Sequence, residues 1–250
     1  MAMKNVKLII EYDGTNFQGW QSQKRGRTVQ QEIEKALRTI LKKDVKIYGS
    51  GRTDAGVHAL GQTANFKEDF TIPVERIPYA LNSILPEDIS IRSAQEVPDH
   101  FHARYSATGK KYIYKIYRAP FRSALFRNYA YFIPEPLDIE KMRKASEYFI
   151  GEHDFAGFMA SKSGVFDTVR EIYELKIHAS GDWITIEIKG NGFLYNMVRI
   201  IVGTLVEVGK NKIPVDHIPQ IIRSGERKKA GPTAPPQGLY LAEVYYDPIG

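Results

Sequence analysis

Val45-Lys46-Ile47-Tyr48-Gly49-Ser50-Gly51-Arg52-Thr53-Asp54-Ala55-Gly56-Val57-His58-Ala59-Leu60-Gly61-Gln62-Thr63-Ala64-Asn65-Phe66 reads as two strand-like runs around a glycine-rich loop. Val45 to Tyr48 leads in and Leu60 to Phe66 leads out. Upstream, Val6, Leu8, Ile10 and Tyr12 alternate as a strand does. Thr28 with Gln31 reads as a capping box. Behind it Val29, Ile33, Ala36, Leu37, Ile40 and Leu41 fall at helical spacing. Downstream, Pro73 opens a second helix with Ile77, Leu81 and Ile84 on one face. Ile89, Ile91 and Val97 mark a further strand. The order is β-α-β-β-α-β, the ferredoxin-like arrangement, with helices covering one face of an antiparallel sheet.

The second half repeats the pattern without residue-level identity. Tyr112, Tyr114, Ile116 and Tyr117 lie in a strand, and Ile139, Met142, Ala145 and Phe149 mark a helix. Val169 to Ala179 and Trp183 to Ile188 read as paired strands joined through Ser180-Gly181-Asp182. A helix follows over Phe193 to Val208, a shorter one follows Pro214, and Leu239, Leu241 and Val244 belong to a last strand. The expected class is α+β. Two ferredoxin-like halves, 1–105 and 106–250, have mainly antiparallel sheets merging around a central basic cleft, with helices on the outer faces.

The chain has 250 residues, 43% of them hydrophobic, enough for one large core or two small ones. Thirty-five basic against 29 acidic residues give a net charge of +6, which favours polyanionic partners. Cys is absent, which excludes disulfides, thiol catalysis and Cys-based zinc sites. The first 30 residues carry no secretory signal. The most apolar run, Met197 to Val208, is interrupted by Arg199 and Glu207 and is too short to span a bilayer. A soluble, cytoplasmic protein is expected. Neither a phosphate-binding G-x-x-x-x-G-K-[ST] loop nor a dinucleotide G-x-G-x-x-G is present, so neither ATP nor NAD is indicated.

Three features point to chemistry. In the central loop, Asp54 stands beside Arg52. A neighbouring cation keeps a carboxylate ionised, and an ionised carboxylate in a pocket can act as nucleophile or base. An Asx-turn with Arg52 as surface partner is the purely structural reading. From His100 to Pro134 there is no Asp or Glu, while Arg104, Lys110, Lys111, Lys115, Arg118, Arg122 and Arg127 interleave with aromatic rings. Cations bind phosphates and rings stack bases, so the segment reads as an RNA contact; the alternative is a strand whose rings fill the core. Arg199 sits in an apolar helix and should be buried against a carboxylate. Asp54 is one candidate partner; Asp182, Glu187 and Glu207 are others. His100 and His102 lack the companions a metal site needs. His58 reads as loop support.

These residues resemble the bacterial tRNA pseudouridine synthase A family. The matching pieces are Glu11-Tyr12-Asp13-Gly14 with Phe17 and Gly19-Trp20-Gln21, and Gly51-Arg52-Thr53-Asp54-Ala55-Gly56-Val57-His58-Ala59. They continue with Phe101-His102-Ala103-Arg104-Tyr105-Ser106-Ala107 and Lys110-Lys111-Tyr112-Ile113-Tyr114. Asn191-Gly192-Phe193, Met197-Val198-Arg199 and Gly238-Leu239-Tyr240-Leu241 complete the set. The resemblance spans essentially the whole chain; Phe158 to Phe166 matches nothing in it.

The resemblance implies conversion of uridine to pseudouridine at positions 38, 39 and 40 of the tRNA anticodon stem-loop. Asp54 matches the family's catalytic aspartate, Tyr112 the tyrosine that packs on the target base, and Arg52 and Arg199 the basic residues beside the aspartate. Phe193, Arg104, Lys110 and Lys111 are expected to bind substrate. No metal or organic cofactor is implied, and the family works as a homodimer with one tRNA across both subunits. Asp54 could attack the sugar C1′, attack the pyrimidine ring, or remove a proton to give a glycal. Two other classes compete: a non-catalytic RNA-binding module, which gives Asp54 no task, and a nucleoside glycosidase, which needs a second acid or base near Asp54.

Overall fold

The computed structural model describes residues 3–160 and 167–246. It separates into two compact units: residues up to Thr108 together with those from Tyr240 on, and Gly109–Leu239. Both mix helices with mostly antiparallel strands, an α+β architecture.

The first unit begins with β1 (Lys4–Tyr12), whose Val6, Leu8 and Ile10 are fully buried. Helix α1 (Val29–Leu41) follows. Its N-cap is Thr28, whose hydroxyl donates to Gln31 Oε1 at 2.9 Å and accepts the Gln31 N–H at 3.4 Å. Gln31 sends its own amide N–H to the Gln23 carbonyl at 2.8 Å, so the reciprocal half of the capping box is redirected into the preceding loop.

Strand β2 is only Tyr48–Gly49, shorter than the expected Val45 to Tyr48. The reason lies in α1. Glu34 Oε1 accepts the Ile47 N–H at 3.2 Å and the Gln30 amide donates to the Ile47 carbonyl at 3.3 Å. Helix side chains thus take the place of a strand partner, while Val45 and Ile47 still bury their side chains.

Strand β3 (His58–Glu68) pairs antiparallel with β1 along nearly its whole length and with β2 at Gly49 and Tyr48. Helix α2 covers Ile77–Asn82 only, behind a 3-10 turn at Val74–Arg76. Asn82 ends it by turning its amide onto both backbone groups of Ile91, at 2.7 and 2.9 Å. Ile84 therefore falls outside the helix and is exposed, contrary to the spacing. Strand β4 (Ile89–Val97) pairs with the other edge of β1.

The second unit opens within β5 (Ala107–Arg118), which pairs in parallel with the short β6 (Tyr131–Ile133). Helix α3 (Ile139–Glu147) and β7 (Gly151–Asp154) follow. The hairpin of β8 (Val169–Ser180) and β9 (Trp183–Gly190) completes an antiparallel order β5-β9-β8-β7. Helix α4 (Met197–Gly209) starts later than the expected Phe193, because Asn196 takes φ +62° and breaks the helical path there. It is buried on almost every side. Helix α5 (Ile218–Ser224) is the short one after Pro214.

The last strand, β10 (Leu239–Tyr246), runs parallel to β3 at Tyr240–His58 and Leu241–Ala59. No helix among the described residues is long and apolar enough to cross a membrane. Of the segment Phe158 to Phe166, residues 161–166 lie outside the described residues. Phe158 itself is a core ring, edge-on to Phe149 at 5.2 Å.

Candidate active site

Asp54 stands in the loop between β2 and β3, and that loop is held from two directions. From β3, Gln62 donates to the Gly51 carbonyl at 3.0 Å and accepts the Ser50 hydroxyl at 2.7 Å. Ser50 N–H also donates to the Thr63 carbonyl at 2.7 Å. From the loop after β1, Trp20 N–H donates to the Thr53 carbonyl at 3.1 Å, and Phe17 O accepts the Gly56 N–H at 3.4 Å. Gly19 makes this approach possible. It takes φ +93°, and a Cβ there would stand 2.4 Å from the Thr53 carbonyl oxygen.

Thr53 is buried, and its hydroxyl shares a 2.7 Å hydrogen bond with Tyr12. Burial pushes the Tyr12 phenol far above its ordinary range, so it stays a neutral hydroxyl. A turn from the Asp54 carbonyl to the Val57 N–H at 3.2 Å closes the far side. Asp54 is thus half-buried on a fixed backbone, which is what a positioned nucleophile or base needs. His58 is buried beyond it, with Nδ1 3.0 Å from the Gly14 N–H, 3.1 Å from an Asp13 oxygen, and its ring stacked on Tyr240 at 4.8 Å. That is the supporting place expected of it.

Arg52 is exposed, and its Nε–H donates to Gln21 Oε1 at 3.2 Å. Gln21 passes its amide N–H to Gln30 Oε1 at 3.1 Å, and Gln30 donates to Glu34 Oε1 at 2.9 Å. A relay of amides anchored in α1 thereby aims the guanidinium. No motif marks Gln21 and Gln30 for this; the local signal is the mixture of amides and rings over residues 16–23, which includes Gln21 but not Gln30. Arg104, also in the first unit, is exposed, and its guanidinium lies over the Tyr105 ring at 5.6 Å.

The other expected residues belong to the second unit. Tyr112, 9% exposed, sits on β5 opposite Ile188. Phe193 meets it edge-on, ring centroids 5.3 Å apart at 88°. Lys111 points the other way and pairs with Glu187 of β9 at 2.7 Å; Lys110 is half-buried opposite Gly190. Tyr114 is a core ring whose hydroxyl donates to the Pro235 carbonyl at 2.7 Å. Burial raises its pKa well above the ordinary value, against a smaller opposing pull from the Arg199 charge. The rings of the acid-free segment therefore divide: Phe101 and Tyr114 are core, while Tyr105 and Phe121 are exposed by 77% and 83%.

Arg199 is half-buried rather than buried. Its Nε–H donates to the Ala234 carbonyl at 2.7 Å and its Nη1 to Asn196 Oδ1 at 2.8 Å. Of the structural partners considered for it, Glu187 is engaged by Lys111, and Glu207 by Lys212 at 3.3 Å. Among the described residues no group of three or more His, Cys, Asp or Glu side chains is placed to hold a metal ion.

A family profile described as tRNA pseudouridine synthase matches residues 8–106 and 145–247. The chain is 53% identical over 244 residues to tRNA pseudouridine synthase A of Thermoanaerobacter sp. (strain X514), covering 98% of this chain and 100% of that one. It is 54% identical to the protein of that name from Acetivibrio thermocellus, again over 98% and 100%. To tRNA pseudouridine synthase A 2 of Clostridium perfringens it is 48% identical at the same coverage. Among solved structures, that titled archaeal box H/ACA sRNP Nop10-Cbf5 complex matches 97% of this chain and 48% of its own, with 13% identity and a TM-score of 0.38.

Proposed function

The chain belongs to the tRNA pseudouridine synthase family, a family of isomerases, and we propose from that premise that it isomerises uridine to pseudouridine in the tRNA anticodon stem-loop, at positions 38, 39 and 40, with Asp54 as nucleophile. The reaction breaks the N1–C1′ bond, turns the uracil and joins C1′ to C5, after which C5 loses its proton and N1 gains one. Atoms and electrons balance without an oxidant or a transferred group. The uridine must first leave the stack, at a cost of roughly a few kcal/mol. Tyr112 carries the everted base, and stacking returns about 1–3 kcal/mol. Arg52 and Arg199 hold the carboxylate ionised and oriented. Phe193, Lys110, Lys111 and Arg104 contact the RNA. The same reading takes 1–105 and 106–250 as ferredoxin-like domains, and the working form as a cytoplasmic homodimer.

The observation that carries this is the backbone of the Asp54 loop. The Gly51–Ala59 string is clamped by the Phe17–Trp20 loop and by Gln62 while leaving one carboxylate half-buried at its tip. A module that only bound RNA would have no use for so fixed an acid.

The test is incubation with tRNA carrying [5-³H]uridine in the anticodon arm. Tritium release with unchanged RNA mass is the expected result, and replacing the uridines at 38 to 40 abolishes it. Free uracil would replace this reading with a glycosidase; bound but unchanged RNA would replace it with a binding module.

A further inference from the structure

Three rings in the first unit form a ladder that no step above uses. His102 stands in the middle, 5.3 Å from Tyr48 and 4.4 Å from Tyr105, with interplanar angles of 48° and 37°. Tyr48 is 44% exposed and Tyr105 77%. A tyrosine that open adds little to a core, yet this one is held in place.

The segment carrying it is tied to the sheet. Asn5 Nδ2 donates to the Pro98 and Phe101 carbonyls, each at 2.9 Å. Asn65 donates to Asn5 Oδ1 at 2.9 Å and accepts the Ala103 N–H at 2.8 Å. The Tyr246 hydroxyl donates to the Ala103 carbonyl at 2.7 Å. The imidazole is fixed in turn, since Nδ1 accepts the Arg104 backbone N–H at 3.1 Å, and the His102 backbone N–H donates to the Ser106 hydroxyl at 3.0 Å.

Cations flank both ends. Lys46 lies over Tyr48 at 5.8 Å and Arg104 over Tyr105 at 5.6 Å. The nearest acids in sequence are both paired, Asp44 with Arg38 and Asp99 with Lys67 at 2.7 Å. Downstream runs the stretch to Pro134 that holds no acid at all.

We infer that Tyr48, His102 and Tyr105 form a stacking platform for an unpaired nucleobase of the RNA substrate, distinct from the uridine being isomerised, with Lys46 and Arg104 on the adjoining phosphates. This rests on the tRNA reading above. A row of tilted rings between two cations matches a base between two phosphates, and stacking accepts any base. Tyr48 directly precedes the Asp54 loop, so the platform and the loop would serve the same RNA molecule.

The test uses the full chain with Tyr105→Ala, Tyr105→Phe and Tyr105→Trp, assayed for tritium release and for thermal unfolding. Tyr105→Ala raises KM about tenfold, within the roughly 5- to 150-fold that one stacked base is worth, at unchanged kcat and Tm. Tyr105→Phe restores KM. Titrating tRNA into Tyr105→Trp quenches the new indole. An unchanged KM would overturn the platform, whether or not the indole is quenched. So would a lowered Tm at unchanged KM, which would make the ladder a structural clip, or quenching by a protein partner but not by RNA. If wild-type enzyme releases no tritium, the reading of the function fails instead; if wild type works and Tyr105→Ala matches it, only the platform fails.

Discussion

Thr53 has its carbonyl on Trp20 and its hydroxyl on Tyr12, so the residue before Asp54 has no freedom left. Tyr12→Phe leaves the Thr53 hydroxyl buried without its partner. The expected loss is about 1–2 kcal/mol in urea unfolding, with kcat lowered about tenfold or more as Asp54 shifts. Arg52 depends on its relay in the same way. Gln21→Leu removes the acceptor that aims the guanidinium, and lowers kcat more than it raises KM, while stability hardly changes. His102 supplies a pH signature. Burial first, then the Arg104 and Lys67 charges, hold its pKa below the ordinary 6.5. The unfolded chain therefore binds this proton more readily, so the stability associated with His102 is complete above 6.5 and is lost as pH falls through the lower folded value. In unfolding series at pH 7.5 and 5.5, His102→Gln flattens the decline on the acid side; an unchanged decline would assign it to other groups.

Elements show where sequence patterns suffice and where they stop. The alternation of Val6, Leu8 and Ile10 and the spacing of Val29, Ile33 and Leu37 mark buried faces, and the structure buries them. Periodicity could not foresee that Gln30 and Glu34 would replace a strand partner for Ile47, because polar side chains carry no period. Nor could it place the α4 start, which a single left-handed Asn196 decides. The apolar neighbours of Arg199 predict its burial, but a helix with apolar residues all round can still leave one side chain reaching along a loop. That loop touches α4 at Gly203, where a Cβ would lie 1.7 Å from the Pro232 carbonyl oxygen. Gly to Ala normally favours a helix by up to about 1 kcal/mol. Here Gly203→Ala has the opposite sign, destabilising by more than about 2 kcal/mol and displacing Ala234, the acceptor for Arg199.

At the scale of the whole molecule, the +6 charge says less than its distribution, with every acid missing from His100 to Pro134. Salt-dependent binding should report this. Replacing Arg122 and Arg127 together by Ala lowers the slope of log affinity against log salt by about two if both meet phosphate, with little effect on kcat. The candidate residues were legible as motifs, because an acid between glycines and an arginine in an apolar helix both break local rules. The props that hold them were not, since Trp20, Gln62 and Gln21 act through contacts distant in sequence. The most direct measurement is tritium release from [5-³H]uridine tRNA by Asp54→Asn, whose side chain keeps the size and one acceptor oxygen but loses its charge. Binding of tRNA at near wild-type affinity with no release is the expected result; release at the wild-type rate would take Asp54 out of the chemistry.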